Sequence, residues 1–244
     1  FSFLRFYQRR ARRILPALFF ITIITVILGY AVLLPYSFKE LSQSIIYQLG
    51  FISNFYFWSY YHFGYMSDNA LLLPFLHTWS LSVEEQFYLI VPIILFLIFK
   101  FLKKYLIFLI FIGFIFSLTL ASYFAPIFKS LTFYMLPFRG WELLAGSLIA
   151  YYEVFNLKNK FILKSLLIKN FLTLVSLLII IFYIFFFNSS FSHPSFYSSF
   201  LILSVCMIIL LSDKDVYVTK ILSSKILIGI GLISYSLYLW HYPL

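Results

Sequence analysis

The chain has 244 residues, 63 % of them hydrophobic and only 11 % charged, with a net charge of +10 and a mean hydropathy of +0.99. Such a composition excludes a soluble globular domain and specifies an all-α, polytopic membrane helix bundle. The one cysteine, Cys206, lies in an apolar run, which excludes a disulfide framework and a cysteine metal site.

Phe1 to Arg13 carries Arg5, Arg9, Arg10, Arg12 and Arg13 and no acid. Five arginines directly before a hydrophobic run place that end in the cytoplasm by the positive-inside rule. A topogenic or anionic-lipid patch is one reading. The other notes that on a helix Arg9 and Arg13 fall at i, i+4 and Arg10 and Arg13 at i, i+3, a cluster suited to holding phosphate oxygens through forked, charge-assisted hydrogen bonds. Nucleic acid is excluded as a partner because the patch is joined to a membrane helix without any binding module.

Ile14 to Leu34 has the length of about 20 residues that a bilayer core requires, with Pro16 in its first turn and Pro35 closing it. Leu41 to Trp58 holds Ser42, Gln43, Ser44, Gln48, Ser53 and Asn54 and is read as one weak span, re-entrant or interfacial. Tyr56 to Gly64 is an aromatic loop in which His62 is a surface or belt residue.

Leu71 to Pro92, LLLPFLHTWSLSVEEQFYLIVP, brings His77, Trp79, Glu84, Glu85 and Tyr88 to the mouth of an apolar run. An acid at a helix centre in lipid costs roughly 2.5–3.5 kcal/mol, so Glu84 and, less strongly, Glu85 are candidate functional residues. On a helix Glu84 and Tyr88 share a face, with His77 about two turns away. The alternative is a pair of wet interfacial acids at a helix N-terminus, favoured there by the dipole.

Lys100, Lys103 and Lys104 form a positive loop, and Tyr105 to Phe124 is the next span. Leu131 to Tyr152 follows, with Arg139 and Glu142 at i, i+3, close enough to neutralise each other as a structural pair or to line a polar cavity shared with Glu84. Asn156 to Asn170 holds Lys158, Lys160, Lys164 and Lys169. Leu172 to Phe187 spans, Asn188 to Ser195 is an uncharged outer turn with His193 in solvent, Phe196 to Leu211 spans, Ser212 to Lys225 is a mixed-charge loop, and Ile226 to Leu244 begins a last span. About seven to eight transmembrane segments result. With Leu41 to Trp58 not crossing, every basic loop falls inside and seven crossings put the C-terminus outside. A start at Phe1 and an end within an apolar run read as a chain cut at both ends, a single partial membrane domain over residues 1–244.

Four blocks, FYQRRARRILPA from Phe6, LHTWSLSVEEQFYLIVP from Leu76, PFRGWELLAGSLIA from Pro137 and ISYSLYLWHYPL from Ile233, together resemble acyltransferase family 3. These are integral-membrane O-acyltransferases of the bacterial inner (plasma) membrane that modify envelope polysaccharides such as lipopolysaccharide O-antigen and peptidoglycan. The resemblance implies that Arg9, Arg10 and Arg13 are the family's RRxxR motif, which meets the acyl donor, usually acetyl-CoA. It makes Glu84 the glutamate of the family's W-S-L-x-V-E block and Arg139 with Glu142 its intramembrane Arg/Glu helix. Tyr235, Tyr238 and His241 lie in the family's last conserved helix, in a core, interfacial or catalytic role. The family's arginine-and-histidine helix, with its candidate general base, would precede Phe1, and some members carry an SGNH-type domain after the last helices.

The expected partners are therefore acyl-CoA, a glycan acceptor and the lipid bilayer, with no metal and no permanently bound cofactor. The expected chemistry has Arg9, Arg10 and Arg13 on donor phosphates, Glu84 charging or orienting the base, and Arg139 with Glu142 shaping the polar cavity. His77 either positions the acceptor or is a hydrogen-bonded structural residue. The rival classes are a transporter or flippase of glycans or lipids and a non-catalytic membrane scaffold; a transporter often shows inverted repeats with Gly/Pro-broken helices, and none is visible.

Overall fold

The computed structural model describes residues 2–60, 73–156, 165–186 and 193–243, and among these every regular element is a helix. The helices gather into two compact units, Phe1–Glu85 with Gly229–Leu244, and Gln86–Ile228.

In the first unit, α1 (Phe3–Val32) starts at Ser2 and carries the arginine patch and the first apolar span on one helix of 30 residues. At roughly 1.5 Å per residue it is about 45 Å long, more than a hydrocarbon core needs. Pro35 opens α2 (Pro35–Leu49), where its missing N–H costs nothing and its fixed φ suits the first turn. The two helices approach closely at Gly29: a Cβ there would lie 2.7 Å from Leu41 Cδ2, and Leu41 is buried.

Leu41 to Trp58 is not one weak span. It is the end of α2 and a separate helix, α3 (Ser53–Tyr60), with a break at Gly50 and at Phe51, whose φ is 52°. The polar residues that weakened the span hold these helices together. Buried Gln48 donates to Thr22 Oγ1 at 3.3 Å. Ser53 Oγ lies 2.7 Å from Ser82 Oγ and accepts from Thr78 Oγ1 at 3.2 Å. Such bonds inside a lipid-surrounded bundle each contribute on the order of 1 kcal/mol.

Thr78 and Ser82 belong to the start of α4 (Thr78–Phe101), and α11 (Lys225–Trp240) ends in this unit. Ile14, Leu18 and Ile21 of α1 are buried together with Leu41, Phe75, Leu81 and Leu239. This core is what holds the charged end of α1 beside the first turns of α4.

In the second unit, a 3-10 turn (Lys103–Tyr105) leads into α5 (Leu106–Phe124). The expected span Leu131 to Tyr152 is again two helices, α6 (Lys129–Tyr134) and α7 (Leu136–Asn156), separated at extended Met135. Pro137 explains the break, since it denies one backbone donor and disfavours helix immediately before it. The start of α7 is secured by Ser117 of α5, whose hydroxyl donates to Pro137 O at 2.7 Å and accepts from Trp141 N at 3.0 Å. Trp141, fully buried, packs with Leu118 and Ala121 along the α5–α7 contact. Next come α8 (Leu166–Phe186), α9 (Phe196–Leu211) and the short α10 (Tyr217–Leu222). Helix α9 packs on α8 and also reaches α7 and α5.

Among the described residues, four stretches are long and apolar enough to cross a membrane, namely Phe3–Val32, Thr78–Phe101, Lys103–Phe124 and Leu166–Phe186. Phe196–Leu211 and Lys225–Trp240 are shorter apolar helices. Large hydrophobic residues such as Phe20, Ile27, Leu178 and Phe182 stand exposed along these helices, as a lipid solvent allows and water does not.

Candidate functional site

Arg10, on the third turn of α1, gives its Nε to Glu85 Oε1 of α4 at 2.7 Å, and both side chains are largely covered, at 21 % and 15 % exposure. Arg9 and Arg13 are exposed beside it. Glu84 also stands exposed, because successive residues on a helix are turned by about 100°. The arginine patch thus engages α4 through Glu85, the less favoured of the two acids in the sequence.

One turn beyond Arg10, Ile14 O accepts from the Tyr235 hydroxyl at 3.2 Å. One turn farther along α11, the Tyr238 hydroxyl donates to His77 O at 2.6 Å and lies 2.9 Å from Ser80 Oγ. Trp240 meets Phe20 edge to face with centroids 6.4 Å apart. These pairings make α11 parallel to α1 and the first two turns of α4 antiparallel to it. The polar groups consequently form a ladder inside the first unit, from Arg10 and Glu85, through Tyr235, to Tyr238, Ser80 and His77. Eight residues separate Glu85 from His77, roughly 12 Å along a helix axis.

The far end of the ladder is the most unusual point in the unit. His77 is 2 % exposed, and neither ring nitrogen has a hydrogen-bond partner among the described residues. Its ring lies edge to face with Tyr238 and with His241, both at 5.1 Å, and stacks on Tyr242 at 5.5 Å. His241 itself is exposed, with Nδ1 2.6 Å from Tyr238 O.

A second polar cluster sits in the second unit. Arg139 Nη2 lies 3.2 Å from Glu142 Oε2 and 3.2 Å from His193 Nε2, and the guanidinium lies over the Phe133 ring at 5.4 Å. The pair that the i, i+3 spacing predicts is therefore made, with the two side chains 15 % and 19 % exposed. His193 is not the solvated turn residue expected. A guanidinium only donates, so His193 Nε2 accepts from it and Nδ1 carries the proton. Burial, reinforced by the Arg139 charge, pushes the His193 pKa down to about 4. His193 also lines a cleft of about 290 Å³ with Tyr183, Ile184, Ser198 and Leu201.

These two clusters can be set beside known proteins. The family model for an acyltransferase domain, acyltransferase family 3, matches residues 1–244. The chain belongs to this acyltransferase family. It is 32 % identical over 250 residues to the peptidoglycan O-acetyltransferase OatA of Listeria monocytogenes, covering 98 % of this chain and 39 % of that protein. It is 30 % identical over 249 residues to the O-acetyltransferase OatA of Staphylococcus aureus, covering 99 % of this chain and 40 % of that one. An uncharacterized protein of Haemophilus influenzae is 36 % identical over 199 residues, 78 % of each chain. The chain thus spans about two fifths of the length of the OatA relatives. No solved structure matches.

Of the residues that the acyltransferase resemblance singles out, the first unit holds Arg9, Arg10, Arg13, Glu84, Tyr235, Tyr238 and His241, and the second holds Arg139 and Glu142; His77, read from the sequence as an acceptor-positioning or structural residue, also falls in the first unit. The structure adds Glu85 and Tyr242 to the first group and His193 to the second. Glu85 was detectable as the neighbour of a motif acid. His193 carried no sequence signal, since 54 residues separate it from Arg139. His62, Lys158, Lys160 and Lys164 lie outside the described residues.

Proposed function

We propose that this domain is the membrane part of an O-acyltransferase that moves an acyl group, acetyl in the simplest case, from cytoplasmic acyl-CoA to a hydroxyl of an envelope glycan. The observation that carries the reading is the ladder of the first unit, in which a half-buried Arg10–Glu85 pair is followed by hydroxyls and ends at the unpartnered ring of His77. Membership of the acyltransferase family supports the reaction class. The name of the Listeria relative, a peptidoglycan O-acetyltransferase, supports peptidoglycan as acceptor.

In this reading Arg9, Arg10 and Arg13 hold the donor's phosphates, and Glu85 fixes the direction of Arg10 by occupying its Nε. Glu84, exposed on the same turn, tunes the charge that the donor meets. The thioester carbonyl lies farther up the ladder, where hydroxyl donors offset the oxyanion that develops on attack. His77 stands on the acceptor side. Arg139 and Glu142 keep a polar cavity open in the second unit, each neutralising the other. The protein resides in the bacterial inner membrane with seven crossings and its basic loops in the cytoplasm, which puts the donor side at the arginines.

The test uses the full-length protein in native membranes supplied with labelled acetyl-CoA. Label enters the envelope glycan if the proposal is right. Arg10→Ala raises the KM for acetyl-CoA about tenfold to a hundredfold, the range for one charge-assisted phosphate contact, and Glu84→Gln lowers transfer at normal expression. A protein that is expressed, inserted and transfers no label, yet moves glycan across the bilayer, is a transporter, and the proposal is then wrong.

A further inference from the structure

We infer that a cleft in the second unit, formed where α9 ends and α10 follows, holds the phosphate of an anionic membrane lipid, with Lys214 and Lys220 as its charge partners. The inference goes beyond acyl transfer and uses no residue of that reading.

The cleft measures about 490 Å³ and is lined by Ser212, Asp213, Lys214, Thr219, Lys220 and Ser223. The carboxylate in this lining is already engaged. Asp213 Oδ2 accepts from Lys169 Nζ of α8 at 2.8 Å, and Oδ1 accepts from Lys214 N at 2.7 Å. Among the described residues, neither Lys214 Nζ nor Lys220 Nζ has a carboxylate within salt-bridge distance. Lys169, Lys214 and Lys220 outnumber Asp213 and Asp215, so the cleft keeps a positive balance. Thr219 and Ser223, at i, i+4, add two hydroxyls one turn apart. Two ammonium groups beside hydroxyls match a phosphate, which carries negative charge and several acceptor oxygens and has no use for a carboxylate.

Helix α10 identifies the source of that phosphate. Successive residues on a helix turn by about 100°, so Thr219, Lys220 and Ser223 fall on one side and Tyr217, Val218, Ile221 and Leu222 on the other. Val218 is buried, whereas Tyr217, Ile221 and Leu222 are 68 %, 57 % and 40 % exposed. Three exposed apolar residues on one side of a six-residue helix fit a segment lying in the membrane interface, with the tyrosine at headgroup level. The helix is fixed at that depth, because Tyr217 N donates to Asn170 Oδ1 in the first turns of the apolar α8, at 2.9 Å, and α10 packs on α8. The lysines and hydroxyls therefore face the headgroup layer. Basic pockets between transmembrane helices at the cytoplasmic side are favourable seats for phospholipid headgroups. A soluble phosphate would be served by the same lysines at any depth and would require no apolar side on α10.

The experiment uses the full-length protein in lipid-free detergent, titrated with phosphatidylglycerol, with phosphatidylcholine and with inorganic phosphate at constant ionic strength. Bound lipid is read by native mass spectrometry, and the unfolding midpoint is followed in parallel. If the inference holds, phosphatidylglycerol binds more tightly than phosphatidylcholine and raises the midpoint. Lys214→Gln and Lys220→Gln each raise the Kd for phosphatidylglycerol about fivefold, and the double variant raises it about twenty-five-fold, the effect of one and of two lysines at an anionic lipid surface. The double variant Lys214→Arg, Lys220→Arg keeps the wild-type Kd. So does Lys39→Gln, which removes one exposed positive charge from the first unit. Without lipid, every variant unfolds at the wild-type midpoint, since the substituted side chains are exposed. The inference falls if wild type binds the two lipids equally well, or if the double glutamine variant binds phosphatidylglycerol as wild type does. An equal loss in Lys39→Gln also overturns it, because bulk charge then explains the binding. Inorganic phosphate that raises the midpoint as much as phosphatidylglycerol at equal concentration gives the cleft to a soluble anion and overturns the lipid assignment. Should the double glutamine variant fail to fold, the two single variants and the arginine pair decide the question by the same Kd values.

Discussion

Replacing Glu85 by Gln tests the joint on which the site of the first unit depends. The Arg10 and Glu85 atoms are 2.7 Å apart and the side chains 21 % and 15 % exposed. With charge centres roughly 4 Å apart, Coulomb attraction at an effective dielectric near 20 is about 4 kcal/mol. Side-chain ordering and residual solvent screening reduce that figure. Exposed pairs contribute about 0.2–1 kcal/mol, whereas removing one member of a fully buried pair costs about 3–5 kcal/mol. For this half-buried geometry the expected coupling is about 2 kcal/mol.

The assay is a double-mutant cycle of Arg10→Gln, Glu85→Gln and the double variant, read as unfolding midpoints in detergent. At about 2–4 °C per kcal/mol for a chain of this size, each single variant should melt about 4–8 °C below wild type. The double variant should melt no lower than the worse single, because it leaves no uncompensated charge. A coupling below about 1 kcal/mol, the range of exposed pairs, would refute the reasoning. Arg10 would then be a mobile surface group, and its orientation toward a donor phosphate would need another cause.

Two further predictions concern the second unit. The folded pKa of His193 is about 4, against about 6.5 unfolded, so between these values the unfolded chain binds the extra proton. Stability is then complete above pH 6.5 and falls by up to about 1.4 kcal/mol per pH unit as the pH drops toward 4. Thermal midpoints between those limits should fall more steeply for wild type than for His193→Gln, and equal slopes would remove the histidine from the account. Trp141→Ala, which empties a fully buried site between α5 and α7, should cost about 3–5 kcal/mol and lower the midpoint by about 10 °C, while an unchanged midpoint would contradict the packing.

Much of the molecule was legible in residue order. Apolar run length specified membrane helices, because in lipid any other open structure leaves backbone groups unsatisfied. The run from Tyr105 to Phe124 matches α5 almost to the residue. Arg139 and Glu142 were legible as a pair because i, i+3 neighbours face each other on any helix. Where the reading erred, a local break decided. Gly50–Phe51 and Met135–Pro137 each divide a stretch read as one span. In both places composition averaged over a window hides a single turn.

The sequence by itself determined the solvent, the helices, the charged end of α1 and the residue types available for chemistry, since these follow from hydropathy, helical period and side-chain charge. Only the tertiary structure decided that Arg10 takes Glu85 while Glu84 stands exposed, that His193 meets Arg139, and that His77 meets His241 across 164 positions of chain. The physical reason is that adjacent acids are equal in charge and propensity. Which one turns toward an arginine depends on the rotation of α4 against α1, and that rotation is set by the packing of Ile14, Leu18, Phe75 and Leu81.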